Sequence, residues 1–137
     1  MMSGVMWMTK KELSQLYNLS KEIKAKEEQL EQLKAIAEST TAQLSDMPHG
    51  SGVSDKIGKT VAEIADIKSL IQLKIQEYWH EYNRLMRYIN DIDDSLVRQI
   101  MTMRHINGMT WNAIANTIGG NTEDSIRKMH DRYLKSH

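Results

Sequence analysis

At 137 residues the chain can form one compact domain, or a small module joined to an extended one. Its 18 basic and 18 acidic side chains balance overall and on either side of residue 90 (12 of each before it, 6 of each after), so composition carries no basic footprint of a nucleic-acid binder. The lack of cysteine excludes a disulfide framework, a thiol nucleophile and thiolate metal ligation, and fits a reducing cytoplasm. No apolar run approaches the roughly 20 residues of a membrane span, and Met1 to Met8 do not read as a signal peptide.

Thr9 with Glu12 forms a capping box, in which hydroxyl and carboxylate each satisfy a backbone amide at a helix start. After it, Leu16, Leu19, Ile23, Leu30, Leu33, Ala37 and Leu44 recur on a seven-residue repeat, with Lys26 and Thr40 as its polar members. Such spacing keeps a narrow seam facing a partner helix. The segment from Met47 through Pro48 to Gly52 breaks this helix. A second long helix is expected from Ser54 or Asp55 to about Ile89, with a seam of Ile57, Val61, Ile64, Ile67, Ile71, Ile75, Tyr78, Tyr82, Leu85 and Ile89. Neither helix can bury its stripe alone, so residues 1–90 read as an antiparallel coiled-coil hairpin. Leu70, Leu73 and Trp79 widen the second helix's apolar face beyond what one partner needs, which predicts a homo-oligomer.

Asn90 to Asp94 is an acidic junction, and residues 91–137 read as a small three-helix unit. Its first helix covers Ser95 to Ile106, with Leu96, Val97, Ile100 and Met103 inward and Gly108 as a left-handed cap. Thr110 caps the next, Trp111 to Ile118, with Ile114 and Ala115 inward. Gly119 to Asn121 make a turn, and Thr122 caps a helix from Glu123 to about Lys135 that buries Ile126, Met129, Tyr133 and Leu134. The fold class is therefore all-α: a long hairpin followed by a helix-turn-helix unit.

The outward side of the last helix carries chemistry. Asp124, Arg127, Lys128 and Asp131 share one face by spacing. Arginine can bond guanine through two donors, and a carboxylate can accept from cytosine N4. Asn121, Thr122 and Ser125 at the helix start, and Lys135 near its end, complete the residues expected to meet double-stranded DNA. The competing reading of that face is a solvated charged surface on a plain three-helix bundle.

The residues from Asn107 to Gly119 and from Glu123 to His130 resemble the promoter-reading fourth region of bacterial sigma factors. There a threonine-capped helix and a glycine turn precede an Arg-Glu-Arg-aliphatic-Arg-Gln segment. Glu123 to Lys128 match that segment by position: Arg127 keeps the arginine, Asp124 keeps the carboxylate, and Glu123 and Ser125 replace arginines. The turn is one residue longer. Over about residues 10–137 the chain also resembles phage and prophage regulators that fuse a helical hairpin to such a unit, with a loop like Ala42 to Asp55. That resemblance implies control of phage genes, often late ones, through the host RNA polymerase in the bacterial cytoplasm. A complete sigma factor is not expected at this size.

Other signals are weaker. Gly52 and Gly58, before Lys59-Thr60, are one residue too far apart for a phosphate loop, and no strand precedes them. His80-Glu81 lacks the second histidine of a zinc helix. Asp91, Asp93 and Asp94 favour a helix start over a cation site. His49, His105, His130 and His137 are scattered and expected to be exposed or hydrogen-bonded. Met101, Met103 and Met129 fall at core positions, while Met6, Trp7 and Met8 could pack on the hairpin or on another copy. No cofactor or metal is expected, and no nucleophile, base and orienting group converge, so an enzyme is not expected either. Two alternatives to a transcription regulator stay open: a phage DNA-packaging recognition subunit, which a large ring would reveal, and a helical protein-interaction adaptor, which a neutral surface suits.

Overall fold

The structure, a computed structural model, describes residues 8–45 and 51–136, with side chains for 8–40 and 55–136. The sequence features at Met6, Trp7 and Met47 to Gly50 lie outside those residues. Every described element is helical: α1 (Lys10–Ser45), α2 (Ser51–Asn90), α3 (Ser95–Met101), a π-helical turn (Thr102–Ile106), α4 (Trp111–Ile118) and α5 (Glu123–Ser136). The two long helices pack against each other, as expected of an all-α hairpin followed by a small helical unit. None of the described helices is long and apolar enough to cross a membrane.

The chain forms two compact units, 20–77 and a second made of 1–19 with 78–137. The division does not fall at residue 90, where the sequence had suggested it. Leu13 and Leu16 of α1 and Leu85, Tyr88 and Ile89 of α2 form one buried cluster with Ile92, Val97 and Met101. The first turns of α1 and the last turns of α2 thus belong to the core beneath α3. A second cluster joins Ile100, Ile114, Ala115 and Ile126, with Trp111, Ile118 and Met129 at its margin. Burying side chains of this size contributes about 1.5–3 kcal/mol each, more than a cap's roughly 1 kcal/mol, so packing rather than capping holds the short helices together.

The caps sit where the sequence placed them. Thr9 Oγ1 accepts from the Glu12 amide at 3.1 Å, and the Thr9 amide donates to Glu12 Oε1 at 3.2 Å. The guanidinium of Arg84, on α2, also donates to the Glu12 carboxylate. Thr110 Oγ1 accepts from the Ala113 amide and Thr122 Oγ1 from the Ser125 amide, at 3.1 and 3.0 Å. Asp94 caps α3 through the Leu96 and Val97 amides, at 2.9 and 3.3 Å. Gly108 takes φ +67°, as expected of a left-handed cap.

Three features depart from the expected pattern. α2 begins at Ser51 rather than Ser54 or Asp55, so Gly52 lies within its first turn. Val61 is 56% exposed, since half-buried Thr60 takes the seam position between Ile57 and Ile64. The helix opening at Ser95 widens into the π-turn, where the Asn107 amide reaches back five residues to the Thr102 carbonyl at 3.0 Å. In unit 20–77, Lys74 of α2 pairs with Glu22 of α1 at 3.3 Å.

Candidate nucleic-acid interface

α4 and α5 are joined by a four-residue link, 119–122, in which Gly119 and Gly120 take φ +76° and +69°. Those left-handed angles suit glycine because a Cβ would crowd the following carbonyl. Asn121 Nδ2 donates to the Gly119 carbonyl at 3.3 Å, and Thr122 ends the link as the α5 cap. Ala115, 5% exposed, lets the α4 backbone lie close against the cluster that backs α5.

Arg104 fixes the approach to α4. From the π-turn its guanidinium lies 4.4 Å from the centre of the Trp111 ring, and its Nη1 donates to the Met109 carbonyl at 3.0 Å. One side chain thereby ties the end of the preceding helix to both the segment before α4 and the first residue of α4.

On the outward side of α5, Asp124 Oδ1 accepts from Arg127 at 2.8 Å and Asp124 Oδ2 from Lys128 at 2.9 Å. The hydrogen bonds from Lys128 and Arg127 hold the Asp124 carboxyl below the ordinary range. All three side chains remain about half or more exposed to solvent. Asp131 is turned another way. It accepts from Lys10 of α1 and from His130 Nδ1, both at 2.9 Å. Partial burial tends to raise its carboxyl, and those two bonds outweigh burial and hold it low. Of the residues expected to meet DNA, the structure brings Asp124, Arg127 and Lys128 together and gives Thr122 and Ser125 to the cap. Asp131 is engaged with α1, and Lys135 is exposed one turn further on.

Beneath this face lies a pair that the sequence did not single out. His105 of the π-turn and His130 of α5, 9% and 2% exposed, bring their Nε2 atoms within 2.8 Å. The Trp111 ring meets His130 edge-on, 4.8 Å between centroids. Burial, then the neighbouring His130 and Arg104, push His105 down to about 3. Burial also lowers His130; Asp131 pulls it upward, while Lys10 and Arg104 push it further down. One signal could have found the pair: His105 follows core Met101, and His130 follows core Ile126, each by four residues.

Compared with known proteins, the chain matches no family model, no curated protein and no solved structure.

Proposed function

We propose that this protein is a sequence-specific DNA-binding transcription regulator of phage or prophage genes, working with host RNA polymerase in the bacterial cytoplasm and assembled through its hairpin. The supporting observation is the α4–turn–α5 arrangement: two capped helices share a buried cluster across a two-glycine link, and the second turns Arg127 and Lys128 outward. Helix-turn-helix proteins set a recognition helix in the major groove with this arrangement, and arginine is the commonest reader of guanine there. Near-zero net charge limits the non-specific phosphate term, so the affinity of one copy is weak and two copies on neighbouring half-sites are needed.

Selection of duplexes from a random pool by the full chain tests this directly. Recovery of a recurring motif is expected, and a pool that stays random after several rounds would overturn the reading. One observation favours a second reading, a protein-interaction adaptor: Arg127 and Lys128 are already paired with Asp124 on the exposed face of α5.

A further inference from the structure

We propose that Asp131 and Lys10 are positioning residues that pin the far end of α5 to α1, and that Asp131 itself meets no base. This role presupposes that α5 reads DNA, as proposed above. Helical spacing puts Asp131 on the same side of α5 as Asp124, Arg127 and Lys128. Its bonds commit it elsewhere. Oδ1 accepts from Lys10 Nζ of α1 and from His130 Nδ1, each at 2.9 Å, while Asp124 holds Arg127 and Lys128. At 41% the Asp131 side chain is the least exposed of the four. The outward side therefore divides into a charged group on the first two turns and a contact with α1 beyond it.

That contact is more than a stray surface pair. An exposed ion pair alone contributes little, but a bond to a buried group is costly to lose. His130 is 2% exposed and meets His105 of the π-turn through Nε2 at 2.8 Å, so Asp131 grips a ring already set in the core. An ionised carboxylate only accepts, which places the His130 proton on Nδ1. Met8 and Leu134 line the same groove as Lys10 and Asp131. Met8 belongs to the cluster of Leu13 and Leu16, and Leu134 packs against that cluster. The capping box of Thr9 and Glu12 fixes the backbone from which Lys10 extends. Recognition helices bring their N-terminal residues to the base edges, and a far end held on α1 leaves those turns of α5 free to do so.

Imidazole nitrogen NMR, amide exchange and duplex titration on the full chain test the pin. At pH 7.5 His130 should be protonated at Nδ1, and a bare Nδ1 would overturn the proposal. Asp131→Ala should raise opening of the α5 amides beyond residue 128 about tenfold, the size of one hydrogen bond to a buried group. Asp131→Asn keeps an acceptor for His130 and should restore most of that protection. Lys10→Met should raise opening by up to about fivefold, and should add nothing in the Asp131→Ala background. On the duplex selected by the wild type, Asp131→Ala should weaken binding with the base preference unchanged at every position. Lys10→Met should leave the salt dependence as it was. A preference relaxed at one base pair would make Asp131 a base reader, and a flattened salt slope would make Lys10 a phosphate contact; either overturns the proposal. So does α5 protection that none of these variants changes. If the wild type selects no duplex, the DNA reading fails, and amide exchange still decides whether α1 pins α5. If Asp131→Ala does not fold, exposed Lys10→Met and the wild-type spectra decide.

Discussion

Arg127 and Asp124 are paired at 2.8 Å within one turn of α5, and the same carboxylate holds Lys128 at 2.9 Å. Any contact from Arg127 to a base, or from Lys128 to a phosphate, must first part it from Asp124. If α5 meets DNA as proposed, Asp124 competes with it for both cations.

Replacing it tests that role. Asp124→Asn removes the charge and frees both cations, so binding to any duplex should tighten. The dependence of binding on salt should steepen by about one counterion per phosphate newly neutralised. Fluorescence anisotropy across a salt series measures this, with circular dichroism checking that α5 stays helical. An unchanged slope would mean that this face does not lie on the phosphates.

The parts legible in the sequence were those governed by local rules. Thr9, Thr110 and Thr122 cap as expected because a cap needs only residues three apart, and Gly108 needs only its own φ. The half-buried run Ile23, Lys26, Leu30, Leu33, Ala37 and Thr40 was legible for a similar reason, since a seven-residue repeat states its own facing side. Leu13 escaped notice although it is fully buried: it lies ahead of the seam and packs beneath the C-terminal helices. The unit boundary was missed for the same reason. The histidine pair spans 25 residues of sequence and is hinted at only by each ring's spacing from a core residue, and Lys10 meets Asp131 across almost the whole chain, which no local pattern could announce.

Tyr88 offers a prediction about stability. Its hydroxyl is buried with no hydrogen-bond partner among the described residues. Burial, with a smaller effect from Tyr133, pushes the phenol up to about 12. A buried polar group without a partner costs about 1–3 kcal/mol, so Tyr88→Phe should stabilise the protein by about 1 kcal/mol. The raised value also means that folding loses stability as pH climbs from 10 toward 12, and the variant should lose less there. Chemical denaturation at pH 7.5 and pH 11 measures both effects. A destabilised variant would show that the hydroxyl has a partner.

The exposed apolar side chains of α2 predict assembly. Leu73 is 62% exposed in its unit, and Trp79 is 52% exposed in the other, beside Tyr78 and Tyr82. Large aromatic groups such as Trp79 commonly anchor interfaces. Sedimentation at micromolar concentration should show a dimer or larger species, and Leu73→Asp should shift it toward monomer. A single 15.8 kDa species for the wild type would remove the oligomer from the proposed function.

Arg127 carries the sharpest test of DNA reading. It is supported by outward spacing on α5 and by half exposure. If it reads guanine through two donors, Arg127→Ala should cost about 1–3 kcal/mol on the selected site and relax preference at one base pair. The cost on a scrambled duplex should be much smaller. Lys135, exposed two turns beyond the Asp124 cluster, is expected to meet phosphate, so its alanine variant should weaken both duplexes alike and flatten the salt slope. Comparing wild type and both variants on the two duplexes separates the roles in one titration series. Equal loss on both duplexes would make Arg127 a phosphate contact. No loss on either would mean that its role ends at Asp124 and that α5 is not the reader.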